Sequence, residues 1–236
     1  MLLKYYRPLR DQFFTQIATA ESYPVIDWID FTNSCQTWNI IDSNLKMADI
    51  DRIFIATNVE LEEQEGNDDR SLCRFEFYEI ITRMAKTKYF ESNMSRSIAD
   101  SIERLLLEYI LPLGEQKMDG MEWRKTFLWH LEVDDLLKAN MDSLKKLFAL
   151  LKSKGGRYIE LKKLHEYVST LPLQVSLDTV TMAFAFSKMQ VVEELEKIEL
   201  YEQLFFVEFL EFLGRLAYLI WDSHDEALDA KLWRIM

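Results

Sequence analysis

The sequence predicts an all-α protein, and three observations carry that prediction. Glycine and proline number only 6 and 4 in 236 residues, while 49% of the chain is hydrophobic and 13% aromatic, a composition too poor in turn formers for a β-sandwich. Apolar residues recur at i, i+3, i+4 and i+7, as at Phe77, Ile80, Ile81 and Met84 and again at Phe209, Phe212, Leu213 and Leu216, which is the spacing of a helix face. One short pattern also recurs four times: an apolar residue, an acidic or polar residue four positions on, then an aromatic residue or leucine. Its instances are IDWIDF at 26–31, LCRFEF at 72–77, IELKKL at 159–164 and LFFVEF at 204–209.

The apolar markers at 26, 72, 159 and 204 have a first-to-third offset of 133 residues and a second-to-fourth offset of 132, so two halves repeat and each carries a pair. An EF-hand accounts for this spacing. Position 8 of its loop bridges to a partner loop in a short antiparallel pairing, position 12 begins the exiting helix, and position 13 enters the core. The expected architecture is two pairs of EF-hand-like helix-loop-helix units joined by connecting helices.

Along the chain, the first loop falls at 19–30. In the second unit Ile50, Ile53 and Phe54 form the incoming face, and the pattern stops near Thr57, well before Glu65. A connecting helix is predicted over 95–111, with Ile98, Ile102, Leu105, Leu106 and Tyr109 on its apolar side and Pro112 ending it. A second is predicted over 121–131, where Trp123, Phe127, Leu128 and Leu131 share a side. The halves divide as 1–112 and 113–236, and the broad apolar faces of both connecting helices lead us to expect them to pack on the paired units, with the halves packed together. In the third unit Leu144, Leu147, Phe148 and Leu151 form a face ending just before Lys152, and 152–163 spans twelve residues with a tight turn at Gly155-Gly156. The fourth has Val180, Ala183 and Phe184, then the long acidic stretch MQVVEELEKIELYEQ before Leu204. The odd loops are compact and the even ones expanded.

The blocks LCRFEFYEIITRMAKTKY and IERLLLEYILP, and MAFAFSKMQVVEELE followed by LFFVEFLEFLGRLA, resemble EF-hand-like domains in cytoskeletal proteins of protist cilia and flagella. The resemblance covers most of 46–219. It implies a noncatalytic interaction or scaffold domain of the cytoplasm and axoneme, often within a longer protein. It also implies a protein partner, such as a helix or another cytoskeletal component, and loops that have frequently lost their calcium ligands.

Calcium takes about six to eight oxygens, typically from side chains at loop positions 1, 3 and 5, a backbone carbonyl at 7 and a bidentate carboxylate at 12, with glycine at 6. The third loop puts Lys152, Lys154 and Gly156 at 1, 3 and 5 and Lys163 at 12, which excludes the metal. The first offers Thr19 and Glu21 but Tyr23 at 5, Pro24 at 6 and the shorter Asp30 at 12. In the fourth, counting back from Glu208 puts Lys197 at 1, Glu199 at 3 and Tyr201 at 5. Only the second loop has a ligand set: Glu65, Asn67, Asp69 and Glu76, with Arg70 in the glycine position. Two readings of this loop stay open: a degenerate loop behind a solvated acidic insertion, with no cofactor, and a Ca2+ site that makes the chain a calcium sensor.

Composition narrows the remaining classes. With 28 Lys and Arg against 40 Asp and Glu, the formal charge of -12 disfavours nucleic acid. Cys35 and Cys73, the only cysteines, are too few for a disulfide framework and read as buried thiols. Lys4 and Arg7 interrupt the N-terminal apolar residues before a secretory signal develops, and Glu208, Glu211 and Arg215 interrupt the most apolar window, 204–221. A soluble chain without membrane insertion is therefore expected. The apolar ending ALDAKLWRIM, with no stop signal after it, reads as part of a longer polypeptide.

His130, His165 and His224 are scattered, Gly155-Gly156 lacks the phosphate-loop residues, and no nucleophile and base stand together. No enzyme is expected. An EF-hand pair binds a partner by opening an apolar groove. Met84, Met182, Phe184, Met189, Phe209 and Phe212 are the candidates to line one, with core filling as the alternative role.

Overall fold

The computed structural model describes residues 2–59, 70–112, 120–189 and 191–236. It is mostly helical, and among the described residues the only strands are two short antiparallel bridges. The chain forms two compact units, Met1–Lys117 and Met118–Met236.

In the first unit, α1 (Tyr6–Thr19), β1 (Ile26–Asp27) and α2 (Trp28–Thr37) are followed by α3 (Met47–Thr57), β2 (Ser71–Leu72) and α4 (Arg74–Ala85). Helix α4 continues as a π turn through Lys86–Phe90, and α5 (Ile98–Leu105) continues in the same way through Leu106–Ile110. Strands β1 and β2 pair antiparallel with Ile26 opposite Leu72.

The second unit opens with α6 (Gly120–Trp123), extended by a π turn over Arg124–Leu128, then α7 (Leu131–Ala139). Helix α8 (Met141–Leu151), β3 (Tyr158–Glu160) and α9 (Leu161–Thr170) precede α10 (Leu177–Ser187), β4 (Gln203–Phe205), α11 (Phe206–Ile220) and α12 (Leu228–Trp233). Here β3 pairs antiparallel with β4, with Ile159 opposite Leu204. The four apolar markers of the sequence repeat therefore face one another two by two.

All four markers, and the residue five positions after each (Phe31, Phe77, Leu164 and Phe209), are 0% exposed. Phe77 lies 5.7 Å from Phe13 and 6.5 Å from Trp38, ring centre to ring centre, while Phe31 packs 6.0 Å from Phe54. In the second unit Phe209 packs 5.6 Å from Phe148. Cys35 and Cys73 are both buried, and burial pushes the Cys35 thiol up from its ordinary range.

The helices after the bridges start at Trp28, Arg74, Leu161 and Phe206, two residues beyond each marker and earlier than the expected start at the acidic residue. Asp30, Glu76, Lys163 and Glu208 thus stand third in their helices. A carboxylate there reaches back to an N–H left unpaired by the first turn. Glu76 accepts from the Cys73 amide at 3.0 Å and Glu208 from the Phe205 amide at 2.8 Å. Helix α2 is capped in the other direction: the Asp27 carboxylate accepts from the Asp30 amide at 2.8 Å. Lys163, of the wrong sign for this task, pairs with Glu166 at 2.7 Å instead.

The connecting helices pack within their own units. Ile102, Leu105 and Leu106 are buried, and Ser97 caps α5 by accepting from the Asp100 amide at 3.1 Å. Ile98, expected on the buried side, is 39% exposed in the first turn. The helix predicted over 121–131 ends at Leu128, and Leu131, expected on its apolar side, is 69% exposed at the start of α7. The helix closes on a π turn, with the Trp129 amide donating to the Arg124 carbonyl five residues back at 2.8 Å, and the backbone leaves the helical conformation at Trp129 and His130, so Leu131 opens a new helix. Trp123 stays inside, 2% exposed. No helix among the described residues is long and apolar enough to cross a membrane.

Candidate functional site

Three of the four candidate calcium ligands, Glu65, Asn67 and Asp69, lie outside the described residues. The fourth, Glu76, is 2% exposed and occupied in capping α4. Asn58 closes α3 just before this loop. Its Nδ2 donates to the Phe54 carbonyl at 2.9 Å, and its buried Oδ1 has no hydrogen-bond partner among the described residues. Among the described residues, no three of His, Cys, Asp and Glu gather as a metal site.

In the first loop, the Asp30 carboxylate accepts from the Glu21 amide at 3.3 Å, so the chain's own backbone meets the position 12 side chain. Burial and the neighbouring Asp27 charge raise the Asp30 pKa against that hydrogen bond. In the third loop, Lys152 is exposed beyond α8 and the turn closes on Gly155, whose φ of 77° suits glycine.

The fourth loop has the most developed polar arrangement. Lys188 follows the last residue of α10, and its side chain is 2% exposed against 4% for Glu208. Its ammonium donates to Glu208 Oε1 at 2.9 Å and Oε2 at 2.8 Å, and to the Gln203 carbonyl. The carboxylate is held from its other side, Oε1 by the Met189 amide at 2.7 Å and Oε2 by the Phe205 amide at 2.8 Å. Burial lowers the Lys188 pKa below the usual lysine value, opposed by the hydrogen bonds and charge of Glu208. Sequence reasoning had put Lys197 at the start of this loop. Lys197 instead pairs with Glu193 on an exposed surface. A lysine directly after the apolar run FAFS, where Lys152 follows α8 in the third unit, is the signal that would have found Lys188.

A second, half-buried ionic cluster in this unit ties the π turn after α6 to α11. Glu211 accepts from Arg124 at 2.8 Å and from Arg215 at 2.7 Å, and the Arg215 guanidinium lies 4.2 Å from the Trp123 ring centre. The sequence had offered these charges only as obstacles to a membrane span.

The groove candidates divide by burial. Met84, Phe184, Phe209 and Phe212 are enclosed at 0–1% exposure, Met182 is half-buried and Met189 is exposed. Met84 belongs to the first unit and the others to the second. A partner would reach the enclosed four only after helices part.

His130 and His224 are exposed, and His165 is half-buried with Nε2 2.9 Å from Thr181 Oγ1. Burial holds the His165 pKa below its ordinary 6.5, opposed by the Asp178 charge. The sign follows: the unfolded chain takes up the proton first as pH falls, so stability present above pH 6.5 is lost on acidification through the folded value. Urea denaturation from neutral to mildly acidic pH is expected to show a shallower loss for His165→Gln than for the parent chain.

Comparison of the chain with protein-family models, with characterised proteins and with solved structures gives no match.

Proposed function

We propose that this chain is a noncatalytic protein-interaction module of two pairs of degenerate EF-hand-like units, which keep their helices in place without a metal and present them to a cytoskeletal partner, in keeping with the ciliary resemblance. The observation that carries this reading is the pairing of Ile26 with Leu72 and Ile159 with Leu204. The repeat spacing demanded that loops meet at those residues, and each bridge is followed by a helix two residues on. Paired loops of this kind are how EF-hand units support one another. The first, third and fourth loops satisfy their own polar groups through protein atoms or carry lysine where a carboxylate would bind calcium. A scaffold whose shape is insensitive to calcium has a use where partners must stay bound through calcium transients.

Recovery of crosslinked partners from a ciliary extract tests the module. Cytoskeletal proteins crosslinked to it are the expected outcome, and recovery of unrelated soluble enzymes alone would sink the reading.

A calcium sensor is the second reading, favoured by one observation: Asn58 Oδ1 at the end of α3, buried with no partner among the described residues, ahead of the loop that contains Glu65, Asn67 and Asp69. Calorimetric titration separates the two. The metal-free module gives no heat at millimolar calcium, whereas a sensor gives binding heat that Glu76→Gln abolishes.

A further inference from the structure

The residues of the fourth loop do not fit a calcium ion, because a cation of the chain's own already stands among the oxygens that would bind it. With Leu204 at loop position 8, as the bridge to Ile159 assigns it, Gln203 is position 7 and Glu208 position 12. These are the backbone carbonyl and the bidentate carboxylate of an EF-hand site. Both are used here, and both by the Lys188 ammonium: one contact to the Gln203 carbonyl and one to each Glu208 oxygen. An ammonium has three protons to donate, and the loop supplies three oxygens.

We propose that Lys188 is a tethered cation taking the place of the metal, so that the fourth unit is clamped permanently in the arrangement that a metal would otherwise have to induce. The inference rests on the EF-hand-like reading for its loop numbering, while the cage itself stands on distances alone. Lys188 and Met189 directly follow α10, whereas Gln203 and Phe205 belong to β4 and Glu208 to the start of α11. The ammonium and the Met189 and Phe205 amides together fasten the incoming helix to the exiting one through a single carboxylate.

The spacing explains how a lysine can do this. Lys188 and Glu208 are 20 residues apart, well beyond the offset of eleven between loop positions 1 and 12. The inserted residues carry the chain away from the cage and return it at Gln203. The cage also predicts which small ions can replace the side chain. Its two N to O distances to Glu208, 2.8 and 2.9 Å, are those of an ammonium donating to a carboxylate. Alkylammonium ions are therefore the class of ligand that the truncated site accepts.

Lys188→Ala in the full chain opens the test, with thermal unfolding as the readout. The melting temperature is expected to fall by on the order of 10 °C, from the loss of one partner of a buried pair. Methylammonium chloride is expected to restore part of that loss saturably, where sodium chloride and tetramethylammonium chloride at the same ionic strength do not. If Lys188→Ala fails to fold in plain buffer, refolding in methylammonium gives the same readout. The neutral double variant Lys188→Met with Glu208→Gln keeps the experiment decisive, because it buries no lone charge and is expected to ignore all three salts.

An unchanged melting temperature in Lys188→Ala, the absence of any methylammonium rescue, or equal rescue of the double variant would each overturn the proposal. No partner enters this assay, so failure of the interaction reading would show in the crosslinking experiment and failure of the tethered cation here.

Discussion

Glu208→Ala is expected to destabilise the second unit by about 3–5 kcal/mol, the range for removing one partner of a buried ion pair. The carboxylate accepts two bonds from Lys188 and one each from the Met189 and Phe205 amides, so its loss leaves a buried ammonium and two N–H groups to find other partners. The pH dependence distinguishes this cause from simple loss of packing. Burial lowers the Lys188 pKa from 10.5 and Glu208 opposes the shift; without Glu208 the shift is larger in the same direction. The folded protein then releases a proton that the unfolded chain keeps, so stability rises with pH up to about the ordinary lysine value. Urea denaturation at pH 7 and pH 9.5 should therefore find the variant recovering stability on alkalinisation more steeply than the parent chain. A loss under about 1 kcal/mol at pH 7, typical of an exposed pair, would mean that the charges are not desolvated as their burial implies.

The same residues show where sequence reasoning reaches and where it stops. Ile26, Leu72, Ile159 and Leu204 were legible because one geometric requirement, an apolar residue at the meeting of two loops, recurs at fixed offsets and leaves an apolar mark each time. The helix faces at Phe77, Ile80, Ile81 and Met84 were legible for a related reason: a side chain at 3.6-residue period has nowhere to go but inward. Leu131 was placed wrongly because the helix stops at Leu128 and a new one starts at Leu131, and nothing in the amphipathic pattern announces the break. Lys188 was missed because the count back from Glu208 assumed a standard loop, and the insertion carried that count to Lys197. The clamp depends on which residues the fold returns to one point across the insertion, a tertiary fact with no fixed spacing to betray it.

Phe77→Ala is expected to cost the first unit about 3–5 kcal/mol, the range for truncating a buried phenylalanine. Phe77 is 0% exposed, and its ring lies 5.7 Å from Phe13 on α1, 6.5 Å from Trp38 at the end of α2 and 6.2 Å from Tyr78. Elements from both helix-loop-helix units of the pair thus meet at one side chain. Three elements lose contacts at once, and a cavity between helices held by their caps cannot close without pulling those caps apart. Phe75, two residues earlier on α4, is 41% exposed; Phe75→Ala removes the same atoms and is expected to change stability by no more than about 0.5 kcal/mol. Chemical denaturation of the two variants checks the contrast, and near-ultraviolet circular dichroism adds an independent sign, because Trp38 loses an aromatic neighbour only in Phe77→Ala. Equal losses in the two variants would mean that helix propensity, and not the buried meeting of three elements' side chains, sets the stability of this unit. The marks that made the repeat visible would then have no energetic meaning. A large difference ties the apolar residue five positions after each marker to one role, anchoring an exiting helix to its pair.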